Sequence, residues 1–127
     1  MDNVGSGYAQ QTDSYAGASV YNSNSYTGAS NQKWAIAAVG AYYKIINVSN
    51  GYAIAAGGAN LDTATYTGAD AQLWTINSLG GGKYQLVNKS TGQSAHIQND
   101  GTYPGNPMWL DNYSSGDTSF QWIFGAP

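Results

Sequence analysis

Apolar residues along this chain recur in short runs separated by polar clusters, a pattern typical of β-strands. The runs at 42–46 and 84–87 are rich in aromatic and aliphatic residues, and each is followed by an Asn. Asn-Gly and Thr-Gly pairs then turn the chain. No stretch places apolar residues at helical spacing between capping residues. The pattern therefore predicts an all-β protein of short strands and tight turns.

Two motifs recur three times in the same phase. The first begins at Asn3, Asn47 and Asn88, at intervals of 44 and 41 residues. The second covers 26–36 and 66–76, with a looser copy at 113–124. A unit of about 40 residues is too small to fold alone, whereas three can close around a shared core. We therefore predict a single domain over 1–127, with repeats at approximately 1–40, 41–81 and 82–127.

The second motif places one tryptophan in each repeat, at Trp34, Trp74 and Trp122. Each indole would bury about 150–250 Å², so we predict that all three are core residues. Repeat one begins directly at its Asn motif, so its first strand is predicted to be missing. An open seam there would expose a strand edge that could contact another chain, and homo-oligomerisation is left open.

The amino-acid composition excludes several classes of function. Among 127 residues only 9% are charged, with a net charge of -3 and four Lys or Arg, so a nucleic-acid partner is not expected. No apolar run is long enough to span a membrane, and membrane insertion is not expected. No signal peptide is recognisable, which suits a cytoplasmic protein or the mature form of a secreted one. Cysteine is absent, so disulfides and Cys-based zinc sites are excluded.

Candidate catalytic chemistry is sparse. His96 is the only histidine, and a single His without Cys does not make a zinc site. No nucleophile elbow, phosphate-binding loop or carboxylate-pair motif is recognisable. We therefore expect a non-enzymatic protein that needs neither cofactor nor metal.

The Gln-x-Trp motif in threefold repetition resembles the ricin B-chain type of β-trefoil lectin. Its copies are Gln32-Lys33-Trp34, Gln72-Leu73-Trp74 and a degraded Phe120-Gln121-Trp122. The resemblance covers essentially the whole chain and implies a β-trefoil that binds carbohydrate. It also implies one shallow cup per repeat, made by an Asp from the second strand, an aromatic platform from the third, and an Asn-Gln pair before the core Trp.

The resemblance assigns these cup positions in the first two repeats. Repeat one keeps polar groups, but its platform is lost unless Tyr26 or Tyr15 replaces it. Repeat two is predicted to have lost its site. The assigned positions are Gln11, Asn24 and Asn31-Gln32 in repeat one, and Ala55, Ala64 and Ala71-Gln72 in repeat two.

Repeat three departs from the family pattern in another way. The resemblance assigns the Asp position to His96, the platform to Asp111 and the pair to Ser119-Phe120. Strand alternation predicts that Met108 and Leu110 point inward, which would leave Trp109 on the outer surface. The candidate ligand residues of this repeat are His96, Trp109, Asp111, Asn112 and Tyr113.

The sequence thus favours a lectin or carbohydrate-binding domain whose partners are glycans or glycoproteins. Whether the ligands are galactose or N-acetylgalactosamine is left open, because no repeat keeps the full set of cup residues. One alternative is a β-trefoil protein-interaction module such as a protease inhibitor, with the loop at 98–107 as its contact. Another is the non-catalytic sugar-binding domain of a larger glycoside hydrolase.

Overall fold

The fold is a chain of short antiparallel strands. The computed structural model describes residues 1–13, 17–23, 26–57 and 60–124. Within them, 3₁₀-helices occur at Ser30–Gln32, Asp70–Gln72, Gln98–Asp100 and Thr118–Phe120. The strands are β1 (Asp2–Asn3), β2 (Gln10–Thr12), β3 (Val20–Asn22), β4 (Trp34–Val39), β5 (Tyr42–Asn47), β6 (Ala53–Gly57), β7 (Asn60–Ala64), β8 (Trp74–Gly80), β9 (Lys83–Asn88), β10 (Ser94–Ile97), β11 (Met108–Asp111) and β12 (Trp122–Ile123).

The strand pairing repeats in groups of four. The second and third strands of each group form a hairpin: β2 with β3, β6 with β7, and β10 with β11. The remaining strands pair successively, with β4 on β5, β5 on β8, β8 on β9, β9 on β12 and β12 on β1. This arrangement confirms the predicted all-β trefoil. No helix in the described part of the chain is long and apolar enough to cross a membrane.

The three repeated tryptophans occupy the same place in each group. Each indole N–H donates to a backbone carbonyl of the neighbouring hairpin: Trp34 to Gln10 (2.9 Å), Trp74 to Ile54 (3.2 Å) and Trp122 to Ala95 (3.0 Å). Trp74 and Trp122 are fully buried, as predicted. Trp34 packs against the core but is only partly buried.

The repeated Asn residues hold the turns between strands. Each Asn is buried. The carboxamide N–H of Asn47 and of Asn88 donates to a backbone carbonyl just before the preceding Gln-x-Trp motif. That of Asn3 donates to the carbonyl of Ser119, just before the third copy of the motif. The Oδ1 of each Asn also accepts an N–H two or three residues further on, at 3.0 Å in all three repeats. The glycine four positions after each Asn has a positive φ, which glycine adopts without steric cost. The residues are Asn3, Asn47 and Asn88, followed by Gly7, Gly51 and Gly92.

The first strand is shorter than its equivalents but not missing, which corrects the sequence prediction. β1 consists of Asp2 and Asn3, and both pair with β12. In the other groups a bridge such as Tyr43 to Trp74 joins the first strand to the next core tryptophan. No corresponding bridge joins β1 to Trp34 in the described residues, so the barrel is open at this seam. The open seam accounts for the partial exposure of Trp34.

Candidate functional site

The three hairpins each present one face to the outside of the barrel. Val20, Leu61 and Met108 point into the core, so their strand neighbours point outward. We call the resulting surfaces the outward faces of repeats one, two and three. Their central cross-strand pairs are Gln11 with Tyr21, Ala55 with Asp62, and His96 with Trp109.

The outward face of repeat one carries a relay of hydrogen bonds. The Gln32 carboxamide donates to Gln11 Oε1 (3.1 Å), and Gln11 Nε2 donates to the Tyr21 hydroxyl (2.9 Å). The Tyr21 hydroxyl then donates to Asp13 Oδ1 (2.9 Å). Gln32 is buried, Gln11 and Tyr21 are partly exposed, and Asp13 is exposed. The relay fixes the orientation of four polar side chains, and three of them, Gln11, Tyr21 and Asp13, reach the surface.

The start of this relay is fixed by the 3₁₀-helix before Trp34. Gln32 Oε1 accepts from the Thr27 N–H (2.8 Å), which leaves its Nε2 directed at Gln11. The equivalent Gln72 makes the same contact with Thr67 (2.8 Å), but its Nε2 donates to the backbone carbonyl of Thr65. The two Gln-x-Trp glutamines therefore share the contact with a threonine N–H, and Gln32 also contacts Gln11 across the outward face.

The other predicted residues of repeat one lie around the relay. Asn31 donates to the carbonyl of Thr12 (3.2 Å), and Tyr26 is 50% exposed. Asn24 and Tyr15 lie outside the described residues. The hairpin register places Ser23, which is buried, at the position that Ala64 and Asp111 hold in the other repeats.

The outward face of repeat two has an alanine at three of its four assigned cup positions, Ala55, Ala64 and Ala71. Its carboxylate comes from a residue that the sequence comparison missed: Asp62, directly across the hairpin from Ala55. Asp62 Oδ1 lies 3.5 Å from the Ser19 hydroxyl, at the junction with β3. A Cβ on Gly57 would collide with the Asp62 side chain, so the glycine makes room for the carboxylate.

The outward face of repeat three is closed by aromatic packing. Phe120, at the position of Gln32 and Gln72, stacks on His96 with ring centroids 4.5 Å apart and an interplanar angle of 7°. Tyr113 contacts the same Phe120 ring edge-on at 5.6 Å. His96 is only 5% exposed, and both ring nitrogens are inaccessible to solvent. A ligand therefore cannot reach the imidazole in this arrangement.

Carboxylates surround the buried imidazole. Asp100 Oδ1 lies 3.9 Å from Nδ1 of His96, and Asp111 Oδ2 lies 3.7 Å from Nε2. Burial lowers the pKa of His96, although Asp111, Asp100 and Asp117 attract the charged form. Burial alone would raise the pKa of Asp117, but hydrogen bonds from the N–H and hydroxyl of Ser119 prevail and lower it.

The remaining candidates of repeat three are spread over the rim. Met108 and Leu110 are buried while Trp109 is partly exposed, which confirms the predicted alternation. Asn112 is exposed and Tyr113 is 36% exposed. The hairpin thus brings His96, Trp109 and Asp111 onto one face, with Tyr113 joined to it through Phe120.

The loop at 98–107 is fastened to repeat one. Asn22 donates its backbone N–H to the carbonyl of Asn106 (2.8 Å) and accepts from Gly105 (2.8 Å). Its side chain also donates to the carbonyl of Tyr103 (3.1 Å). Tyr103 itself is 73% exposed, so the loop presents an aromatic side chain on an anchored backbone.

Comparison with known proteins identifies the family to which this architecture belongs. A model of the ricin-type β-trefoil lectin domain-like family matches residues 30–110. This chain belongs to that family. The designed threefold symmetric protein ThreeFoil is 32% identical, with a TM-score of 0.88 over 96% of this chain and 93% of that chain. No match was found among curated proteins.

Two natural proteins share the fold at lower identity. An exo-β-1,3-galactanase from Clostridium thermocellum has a TM-score of 0.89 at 23% identity, over 96% of this chain and 28% of the enzyme. The Macrolepiota procera ricin B-like lectin, solved in complex with lactose, has a TM-score of 0.80 at 18% identity, over 99% of this chain and 92% of that chain. Membership of the lectin family supports carbohydrate binding as the function of the domain.

Proposed function

We propose that this domain binds neutral glycans through the outward face of repeat one, without catalysis or a cofactor. The supporting observation is the relay from Gln32 through Gln11 and Tyr21 to Asp13. In the described residues, no comparable hydrogen-bond relay runs across the centre of either of the other outward faces. Repeat two offers alanines at the cup positions, and repeat three is covered by Phe120.

The chemistry of the relay suits adjacent sugar hydroxyls. A carboxamide both donates and accepts, a phenol does the same, and a carboxylate only accepts. Because each group is oriented by its neighbour, little conformational entropy is lost when a ligand binds. The exposed Asp13 favours a neutral sugar over an anionic one. The lactose in the Macrolepiota lectin makes galactose-type sugars the first ligands to test.

One shallow sugar site is weak, with an expected Kd of about 1 mM. Titration calorimetry with lactose should therefore be run on the unmodified chain, on Gln11→Ala and on Gln93→Ala. Gln11→Ala removes the centre of the relay, so we expect at least about a tenfold loss of affinity, equivalent to one charge-assisted or two neutral hydrogen bonds. Gln93→Ala removes a glutamine of equal size outside the face and should bind as the unmodified chain does.

The proposal fails if Gln11→Ala binds lactose unchanged. It also fails if the folded, unmodified chain recognises no sugar on a glycan array. Thermal unfolding of each variant separates a loss of binding from a loss of structure.

The likeness to the galactanase supports a second candidate, an accessory domain of a larger glycoside hydrolase. The chain matches 28% of that enzyme. A catalytic domain in the same natural reading frame would support this role, and a reading frame that encodes the lectin-type domain alone would contradict it.

A further inference from the structure

Repeat three carries a concentration of negative charge that repeat one does not. We call Asp100, Asp111 and Asp117 the aspartate cluster; they are three of the seven acidic residues of the chain. The Ser119 hydroxyl links two of them, at 2.6 Å from Asp100 Oδ1 and 2.9 Å from Asp117 Oδ1. The side chains of Asp100 and Asp111 are 61% and 58% exposed, so their carboxylates remain open to a ligand.

A buried polar side chain without a hydrogen-bond partner points into the cluster. His96 is 5% exposed, and neither ring nitrogen has a hydrogen-bond partner in the described residues. Its distances of 3.9 and 3.7 Å to Asp100 and Asp111 are too long for hydrogen bonds. A buried polar group left in this state costs stability, and such exceptions are rare in folded proteins.

No lysine compensates the cluster. In the described residues, the only lysine within ion-pair distance of a carboxylate is Lys89, which contacts Asp70 at 3.0 Å. Lys44 lies over the ring of Tyr66 instead. In the described residues these three neighbouring aspartates therefore have no lysine partner, and a cationic ligand would be attracted to their carboxyl groups.

From these observations we infer that the aspartate cluster binds the protonated amine of a deacetylated amino sugar such as glucosamine. The inference rests on the proposed glycan-binding function and adds a second site with a different ligand class. The partly exposed Tyr113 ring, held by Phe120, supplies an apolar surface for the C–H side of the sugar. The described residues contain no group of three ligands close enough to hold a metal ion.

The test compares two oligosaccharides that differ in N-acetylation, and therefore in charge at mildly acidic pH. The probes are a fully deacetylated chitosan oligomer and the N-acetylated chitin oligomer of the same length, titrated by calorimetry at mildly acidic pH, where the amine is protonated. Because hydrogen bonds to charged groups are strong, we expect the deacetylated oligomer to bind at least about tenfold more tightly. Raising the pH until the amine is neutral should remove this preference.

Variants locate the site. Asp100→Asn and Asp111→Asn, made separately, should each lose most of the preference for the deacetylated oligomer. Asp111→Asn can keep the short hydrogen bond from the Asn112 N–H, so its fold is expected to persist even if Asp100→Asn disturbs Ser119. Asp70→Asn removes an exposed carboxylate elsewhere and should retain the preference.

Two results would overturn the inference. One is equal affinity for the two oligomers. The other is that spermine binds as tightly as the chitosan oligomer does, which would show that the cluster binds cations without recognising a sugar. Lactose binding that depends on Gln11, combined with no preference for the deacetylated oligomer, would reject this inference alone. Failure of every sugar to bind would reject the proposed function as well.

Discussion

The outward faces of repeats one and three have the same hairpin register, but their side chains interact in different ways. In repeat one, Gln32 directs its amide at Gln11 and starts a surface relay. In repeat three, Phe120 takes the place of that glutamine and stacks on His96. Polar groups thus organise the first face, whereas aromatic packing closes the third and leaves carboxylates around its rim.

This difference shows that the backbone of the repeat does not decide whether a cup is open. The core tryptophans donate the same hydrogen bond in all three repeats. Between repeats one and three, the residue two positions before the tryptophan changes from Gln32 to Phe120, and its partner on the second strand changes from Gln11 to His96. The hydrogen-bonding face and the packed face thus differ at this pair of positions, although the hairpin register is the same.

The largest expected effect comes from removing the aromatic cover. Phe120→Ala should destabilise the domain by about 3–5 kcal/mol, because a buried ring is lost and His96 is left exposed in a cavity. The matched Gln32→Ala should cost less, about 1–3 kcal/mol, through unsatisfied hydrogen bonds. Urea unfolding of both variants measures the difference. Equal losses of unfolding free energy in the two variants would contradict the conclusion that the two faces are stabilised differently.

A smaller effect concerns pH. Burial holds the pKa of His96 below its ordinary value of 6.5, so the folded state binds the proton less readily than the unfolded state. Neutral His96 therefore contributes its full stability at pH values above 6.5, the ordinary pKa. That contribution is lost as the pH falls from 6.5 to the lower pKa that His96 has in the folded state. Unfolding free energies at about pH 7 and about pH 5 should differ less in His96→Gln than in the unmodified chain. An unchanged difference would contradict the assignment to His96.

The smallest effect is expected from breaking the relay without changing its shape. Tyr21→Phe removes the hydroxyl that links Gln11 to Asp13, at a cost of about 0.5–1.5 kcal/mol in stability. Lactose affinity should fall about fivefold for a loss near 1 kcal/mol. Tyr113→Phe, the corresponding change at the rim of repeat three, should leave lactose binding as it was.

The repeat phase and its packing could be predicted from the sequence. The Asn and Gln-x-Trp motifs mark strand ends and core positions, and both follow from local periodicity. The structure confirms the trefoil, the burial of Trp74 and Trp122, and the outward direction of Trp109. Trp34 is less buried, and in the described residues no strand pairing joins it to β1 at the seam.

The details of the outward faces were beyond sequence reasoning. The stacking of Phe120 on His96 joins residues 24 positions apart, and a motif carried over from a family does not show that it closes the cup. Asp62 takes the place of a missing carboxylate from the opposite strand. Tyr21 was missed although the alternation that located Trp109 also applies to it, since Val20 and Asn22 on either side are buried.

The claim that repeat one is the open face is tested most directly by mapping lactose onto the backbone. In a nitrogen–proton NMR titration of the labelled chain, we predict the largest shift changes at Gln11, Asp13, Tyr21 and Gln32. The signals of His96 and Phe120 should stay in place. Shifts centred on His96 and Phe120, with the repeat-one signals unchanged, would contradict the account.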